Sequence, residues 1–301
     1  MFTSTARFGA APGVALLLSL LGALPIPGAL FAQRTETVFS GALPEGGALR
    51  LATATGEVDV RPASGATLEV TGVAHGHEGD ITFEVVRNGD EMIVCALRAG
   101  IDRCTDRGVD SRNGRWSDDD SRGDLRVLLP AGIDLTAGSG NGAVRVEGAG
   151  GDVAAASGNG SVDVDGAAGR VHAASGNGAV TVARAGGPVE ASSGNGRVEV
   201  STARGPVTAS SGNGDLQIDI ASLPGDGPMR FSSGNGRIEL TLPADFNADL
   251  EARLGNGKVE SDFPMTIEGR LDPHRVEARI GRGGRRLIVS SGNGDLVLRR
   301  R

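Results

Sequence analysis

The stretch SGNGAVRV at residues 139–146 decides the fold, because the chain repeats its first four residues seven times. The first four intervals between the repeated asparagines (159−141, 177−159, 195−177 and 213−195) are all 18 residues. A fixed period of this length indicates stacked supersecondary units and not one globular core. A variant turn, LGNG, adds an eighth copy. The asparagines of these turns are Asn141, Asn159, Asn177, Asn195, Asn213, Asn235, Asn256 and Asn293.

Each 18-residue unit contains two short runs in which apolar residues alternate with variable ones. The first run carries two branched apolar residues, such as Val144 and Val146, and the second carries a pair such as Val153 and Ala155. Alternation with period two predicts β-strands with one face toward the core. We therefore predict an all-β protein, a parallel β-helix or β-solenoid with two-strand coils of about 18 residues.

The turn residues suggest how successive coils touch. Leu254 takes the serine place in the variant unit, so we expect the serine column to point inward and to form hydrogen bonds along the stack. The flanking glycines are expected to supply positive φ and close approach, and the asparagines to form a ladder or a capped turn. An antiparallel meander with Asn-Gly hairpin turns is the alternative. The full-period recurrence of both strands favours parallel stacking.

The N-terminus resembles an export signal. Residues 1–32 contain a lone Arg7, the apolar run VALLLSLLGAL and then Pro25 and Pro27, so we expect a signal peptide cleaved before Gln33. A retained membrane anchor is the alternative, although the run is short for a bilayer. We expect the mature chain to have no membrane span and to be periplasmic, on the cell surface or extracellular.

The rest of the chain divides into two predicted parts. Residues 33–136 should form an N-terminal β region that caps the stack, and residues 137–301 the repeat solenoid. The run TATGEVDV at 53–60 already resembles a coil with a degenerate turn. Cys95 and Cys104 are an even pair in an exported chain, which predicts a disulfide. Near the other end a hairpin over residues 276–289 is expected to close the stack, with Arg285, Arg286 and Arg299 to Arg301 discouraging edge pairing.

Charge and site chemistry exclude several functions. Without Arg7 the chain has 29 basic residues (30 − 1) against 37 acidic ones, which disfavours nucleic-acid binding. The acidic run at 118–124 lacks the ligand pattern of a calcium loop, and the Arg-Gly-Asp tripeptide within it is assigned no role. No glycine-rich turn has a phosphate-loop context. We expect no catalytic, cofactor or metal residues, because the histidines are scattered: His75, His77, His172 and His274.

A family resemblance rests on the signal segment, the LPAG run at 129–132, the repeated SGNGxVxV and the RIGRGG run at 279–284. Together they resemble a bacterial family of domains of unknown function that carries the adhesin label and contains β-strand repeats. The resemblance implies an exported, non-catalytic β-solenoid that binds a surface polymer or an envelope protein, or that serves as a structural module of the cell envelope. A polysaccharide-acting β-helix enzyme, such as a lyase, is the alternative; the mixed outward columns disfavour ice binding.

Overall fold

A computed structural model describes residues 33–44, 46–111, 121–202, 204–267, 272 and 274–301. The expected signal peptide, residues 1–32, lies outside them. Within the described ranges, no helix is both long and apolar enough to cross a bilayer. The same ranges contain the following strands: β1 (Arg34–Gly41), β2 (Ala48–Thr55), β3 (Val58–Pro62), β4 (Leu68–His75), β5 (Ile81–Asn88), β6 (Glu91–Arg98), β7 (Asp102–Thr105), β8 (Gly108–Ser111), β9 (Arg122–Leu129), β10 (Asp134–Asn141), β11 (Val144–Glu147), β12 (Val153–Ser157), β13 (Val162–Asp165), β14 (Val171–Ser175), β15 (Val180–Ala183), β16 (Val189–Ser193), β17 (Val198–Thr202), β18 (Val207–Ser211), β19 (Leu216–Ile220), β20 (Met229–Asn235), β21 (Ile238–Leu242), β22 (Ala248–Asn256), β23 (Val259–Ser261), β24 (Met265–Ile267), β25 (Arg275–Ile280), β26 (Arg286–Asn293) and β27 (Leu296–Arg300).

Two long sheets face each other, and each regular coil contributes one strand to each sheet. Sheet A has the order β1-β4-β9-β3-β11-β13-β15-β17-β19-β21-β27-β23, and sheet B has the order β24-β25-β22-β26-β20-β18-β16-β14-β12-β10-β2-β6-β5. The repeat strands are parallel and in register, with Val144 opposite Val162 in sheet A and Val153 opposite Val171 in sheet B. The predicted β-solenoid is confirmed, and the antiparallel meander is excluded for the repeats.

The core is a narrow layer between the inner faces of the two sheets. The branched residues of the first strand, such as Val162 and Val164, are almost fully buried, as are Val171 and Ala173 of the second. Alternation places their neighbours outside. Because burial removes apolar surface from water at roughly 25 cal/mol per Å², the stack is stabilised by many small contributions. Phe231 is the largest of the fully buried side chains in the described ranges.

The N-terminal region continues both sheets and then closes them. β2 and β3 form a coil that pairs in parallel with β10 and β11. Residues 53–60 resemble a repeat because they form part of this coil. β6 and β9 add one further parallel strand to each sheet. Antiparallel strands β5, β4 and β1 follow at the outer edges. These antiparallel strands end the parallel stack and pair its edge.

The C-terminal end differs from the prediction of a hairpin over residues 276–289. β25 pairs antiparallel with β22, whereas β26 pairs parallel with the other edge of β22 and with β20. β27 likewise lies between β21 and β23. The last coil of the chain is therefore inserted between two earlier coils. The hairpin was wrong because alternation fixes which face of a strand is buried but not which strand lies beside it.

Candidate functional site

The serine column of the turns is buried and joins neighbouring coils. Ser157 Oγ donates a hydrogen bond of 2.8 Å to the carbonyl oxygen of Gly142 in the preceding coil. It also accepts one of 2.8 Å from the backbone N–H of Gly160 in its own turn. Ser175 and Ser193 repeat both contacts. Each serine thus satisfies a turn donor and a carbonyl of the coil before it, which explains its burial.

The asparagines form a continuous amide ladder along one corner of the solenoid. From Asn159 onward, each asparagine Nδ2 donates to the Oδ1 of the asparagine before it in the stack at 2.6–2.8 Å, and Asn141 only accepts within the ladder. In space Asn293 stands between Asn235 and Asn256, because the last coil is inserted there. Asn141 is partly covered, and the other asparagines of the ladder are exposed. The buried half of the turn is therefore the serine, and the asparagines face solvent.

The turn glycines serve close approach, and the expected positive φ is largely absent. Among the glycines that flank the ladder asparagines, only Gly294 has a positive φ, 157°, close to the extended region. A Cβ on Gly178 would lie 2.1 Å from the carbonyl oxygen of Gly160 in the preceding coil. A side chain there would overlap backbone, which cannot move aside without separating the coils. Glycine is required because adjacent coils touch at this point.

Beside the ladder, the outward face of sheet B carries a row of small side chains. One residue from each of eight successive strands contributes, and the row ends at Arg253. We call it the small-residue row: Ala52, Gly138, Ala156, Ala174, Ser192, Ser210, Ser232 and Ser290. A Cβ on Gly138 would have Leu51 O as its nearest neighbour, at 3.9 Å. An alanine side chain would therefore fit at this position, so close backbone approach does not account for the glycine there.

The outward face of sheet A has a different character. Its strands present many carboxylates and few cations, so this face is acidic. Along the parallel strands from β3 to β23, the outward acidic residues are Asp59, Glu147, Asp163, Asp165, Glu199, Asp219, Glu239 and Glu260, and the basic ones are Arg61, Arg145 and Arg299; the adjacent β9 adds Arg126 opposite Asp59. The two broad faces of the solenoid thus differ in charge and in side-chain size.

A disulfide-tied hairpin overhangs one end of the small-residue row. Cys95 of β6 and Cys104 of β7 form the expected disulfide. Val109 of the β7–β8 hairpin packs with the disulfide region, and Val109 and Ser111 help to line a cleft that opens onto Gly138 and Ala156. The row therefore begins beneath the hairpin and continues along the exposed sheet.

A buried ion pair holds this hairpin. Arg98 Nε and Nη2 donate to the two carboxylate oxygens of Asp102 at 3.0 and 2.9 Å, and Ser111 Oγ donates to Asp102 at 2.8 Å. Burial by itself raises the pKa of Asp102, but the hydrogen bonds from Arg98 and Ser111 outweigh it and hold that pKa below its ordinary value. The same contact raises the pKa of Arg98.

The histidines lie on separate parts of the fold. His75 Nε2 is 2.8 Å from Asp124 Oδ2, and that buried carboxylate also accepts the backbone N–H of Glu57. His77 lies in the next turn, where its backbone N–H and the Ser121 hydroxyl lower the pKa of Asp80.

The other two histidines occupy strand surfaces elsewhere. His172 faces Glu190 on sheet B, and His274 contacts the carbonyl oxygen of Leu254. Within the described parts of the chain, no three His, Cys, Asp or Glu side chains come together as a metal site. Asp124 is buried, so the Arg-Gly-Asp tripeptide is not presented as an open loop. Residues 118–120 of the acidic run lie outside the described residues.

One feature was not anticipated from the sequence. Arg285, expected to be exposed at an edge, is buried with only 6% of its surface accessible. It lines a cavity formed by the connections that follow β19 and β21. A signal for it does exist in the sequence, since the intervals between asparagines lengthen at this end to 22 (235−213) and 21 (256−235).

Two facing parallel sheets, a continuous amide ladder and antiparallel strands at both ends define the class of a capped β-solenoid. The chain belongs to the Toastrack DUF4097 family, whose model matches residues 48–299. A solved structure of a candidate adhesin from Bacteroides fragilis NCTC 9343 is similar, with 11% identity and a TM-score of 0.44 over 89% of this chain and 97% of that one. A candidate cell adhesion protein from Clostridium sporogenes ATCC 15579 shows 10% identity and a TM-score of 0.28 over 90% and 99%. No curated protein matches the chain.

Proposed function

We propose that this chain is an exported, non-catalytic binding module, an adhesin-like solenoid that holds a linear polymer of the cell surface. The observation that carries the proposal is the exposed asparagine ladder beside the small-residue row. Both features run in register over successive coils of the same corner and face. They form a straight track and not a pocket, which suits a long ligand better than a small molecule.

The ladder retains hydrogen-bonding capacity after its own contacts are made. A primary amide has two N–H donors and an oxygen with two lone pairs. The contact from Asn177 to Asn159 uses one donor and one lone pair. Each exposed asparagine within the ladder therefore still offers one donor and one acceptor to a ligand. Repetition at the interstrand spacing of about 4.8 Å suits a polymer of sugar rings, which offers hydroxyl groups at a similar repeat.

The small-residue row supports the same ligand. Side chains no larger than serine leave room for a chain to lie flat against the sheet, where it reaches the amides at the corner. The acidic face of sheet A offers no such track, because long charged side chains project from it. We therefore place the ligand on sheet B, between the β7–β8 hairpin and Arg253.

Export is part of the proposal. The signal-like segment at residues 1–32 directs the chain out of the cytoplasm, and the Cys95–Cys104 disulfide suits an oxidising compartment. A location in the periplasm, on the cell surface or outside the cell would bring the solenoid to envelope polymers. Sequencing the N-terminus of the exported chain tests this step, with Gln33 expected as the first residue.

A binding experiment with a matched control tests the ligand track. The exported chain is applied to arrays of envelope polysaccharides and cell-wall fragments, and we expect it to retain at least one. Ser192→Arg places a long side chain in the small-residue row and should weaken that binding at least about tenfold, a change of about 1.4 kcal/mol. Thr181→Arg, on the outward face of sheet A, should leave binding unchanged.

Two outcomes would overturn this proposal. Failure of the folded wild type to bind any polymer removes the binding role, and unchanged binding by Ser192→Arg removes the track. A third measurement addresses the enzyme alternative. Polysaccharide turnover that is lost in a folded His75→Ala variant would replace the binding module with a catalyst, because His75 and Asp124 form the closest histidine–carboxylate pair among the described residues.

A further inference from the structure

Departures from the 18-residue period collect around one cavity. Leu216 and Met229 are 13 residues apart (229−216), and Ile238 and Leu250 are 12 apart (250−238), whereas Val198 and Val207 of a regular coil are 9 apart (207−198). The extra residues lie in the connections from sheet A to sheet B, on the edge opposite the asparagine turns. Insertions in solenoids emerge as loops on one face, which is often the binding face.

These connections border an open cavity of about 470 Å³ with Arg285 in its lining. Segments 221–226 and 243–247 form two of its sides, and Gly283 comes from the connection between β25 and β26. Ser222, Asp226, Asp245 and Asn247 also line it, so polar groups dominate the wall. Two carboxylates and one guanidinium thus share a space large enough for a single sugar ring.

Arg285 is held by hydrogen bonds but has no paired charge. Its Nη2 donates to the carbonyl oxygens of Leu223 and Gly225. Its Nε is buried and has no hydrogen-bond partner among the described residues. Arg279 and Arg286, on either side in sequence, pair with Asp249 and Glu251. In the described part of the chain, no ion pair is formed by Arg285.

This arrangement leaves a buried positive charge to be compensated. Burial lowers the pKa of the guanidinium and the negative charge of Asp226 partly offsets that effect, yet arginine stays protonated near neutral pH. Neutral carbonyls satisfy hydrogen bonds without cancelling charge, and a buried charge is costly unless it is paired. A ligand carboxylate would supply both the missing charge and an acceptor for guanidinium N–H groups.

We propose that this cavity binds an acidic sugar, with the carboxylate of a uronic acid residue against Arg285 and its hydroxyls donating to Asp226 and Asp245. Asp226 and Asp245 disfavour a compact anion such as phosphate, because phosphate brings negative charge but fewer O–H donors for these two carboxylates than a sugar does. The proposal rests on the proposed function, and it narrows the polymer to one that contains uronic acid. The cavity and the ladder occupy opposite edges, so each can be tested by itself.

Titration of the full exported chain with D-galacturonate, with D-galactose and inorganic phosphate as comparisons, tests the site. We expect saturable binding of galacturonate and none of galactose. Arg285→Met should weaken galacturonate binding at least about tenfold, because a charge-assisted contact is lost. Arg282→Met, on the exposed part of the same connection, should bind galacturonate as the wild type does.

The outcomes are separable. If Arg285→Met does not fold, the Nε–H resonance of Arg285 in the wild type is followed during the titration, and the absence of a shift overturns the site. No saturable binding of galacturonate by the folded wild type also overturns it, since Asp226 then suffices as the counter-charge. Phosphate binding as tight as galacturonate binding overturns the assignment to an acidic sugar. If polymer binding is lost in Ser192→Arg but kept in Arg285→Met, the proposed polymer track is supported and a role of the Arg285 cavity in polymer binding is not.

Discussion

At the residue scale, the glycines of the turns show how backbone contact dictates composition. Gly178 and Gly138 are both outside the core, yet only at Gly178 would an added Cβ overlap the backbone of the preceding coil. The sequence shows both as glycines in a glycine-rich chain. Recurrence at 18 residues separates them, because the turn glycine recurs in every repeat while the place of Gly138 is taken by alanine, by serine or, in the LGNG unit, by Arg253.

Gly178→Ala is expected to destabilise the fold by about 2–3 kcal/mol. The added Cβ overlaps Gly160 O, and relief requires neighbouring coils to separate. Gly138→Ala is the matched control, where we expect a gain of about 0.5 kcal/mol from the reduced entropy of the unfolded chain. Chemical denaturation of both variants gives the free energies of unfolding. Equal effects of the two substitutions would refute the close-approach explanation.

At the scale of elements, the hairpin β7–β8 depends on Asp102 as well as on the disulfide. The carboxylate of Asp102 is fully buried and is held by Arg98 and Ser111. The sequence predicted the disulfide because only two cysteines are present. It could not predict the ion pair, because Arg98 and Asp102 are two charges in a turn-rich segment that contains several others.

The pH dependence of stability follows from the sign of the Asp102 pKa shift. The folded-state pKa lies below the ordinary 3.8, so the ionised form stabilises folding above that value and the contribution is lost as pH falls through the folded pKa. We expect Asp102→Asn to be less stable than the wild type at neutral pH by about 1.5–3 kcal/mol. The difference should shrink below pH 3.8. Denaturation curves at a series of pH values measure it; a difference that is constant down to pH 2 contradicts the assignment.

The elements also show what a strand pattern can and cannot specify. The columns of β26, with Leu287, Val289 and Ser291, match those of both β20 and β22. Alternation is therefore consistent with β26 lying in sheet B with these residues inward. The pattern does not determine which strands lie beside β26, because β20 and β22 carry the same inward columns. Arg285 was misplaced for a related reason: an arginine beside glycines is typical of exposed turns, and its burial depends on loops from two other coils.

At the scale of the whole molecule, regular coils should be interchangeable. Deleting residues 158–175 removes one period of 18 and joins Ser157 directly to Gly176, so the serine, glycine and asparagine columns stay in register. We expect this shortened chain to fold with the same sheets, because stability in a solenoid is approximately a sum over coils and their interfaces. Circular dichroism and gel filtration should show a monodisperse β-protein with a modestly lower melting temperature.

Deletion of residues 286–301 is the contrasting variant, although it removes fewer residues. It takes away β26 and β27, which lie inside the stack, and leaves β22 and β23 without their parallel neighbours. We expect loss of the C-terminal coils and exposure of core residues such as Phe231 and Leu250. If this truncated chain is as stable as the one lacking residues 158–175, the inserted position of the last coil is wrong.

The inserted coil sets a condition on the order in which the chain acquires its structure. Neighbouring strands of the regular coils join residues 18 apart, such as Val153 and Val171, and can pair as soon as both have been made. Met229 must instead wait for Leu287, 58 residues later (287−229). A vectorial folding process running from the N-terminus therefore halts after β21 until the final strands arrive. The gap between β20 and β22, and that between β21 and β23, closes only after β26 and β27 have been made, so continuity of both sheets depends on these two late strands.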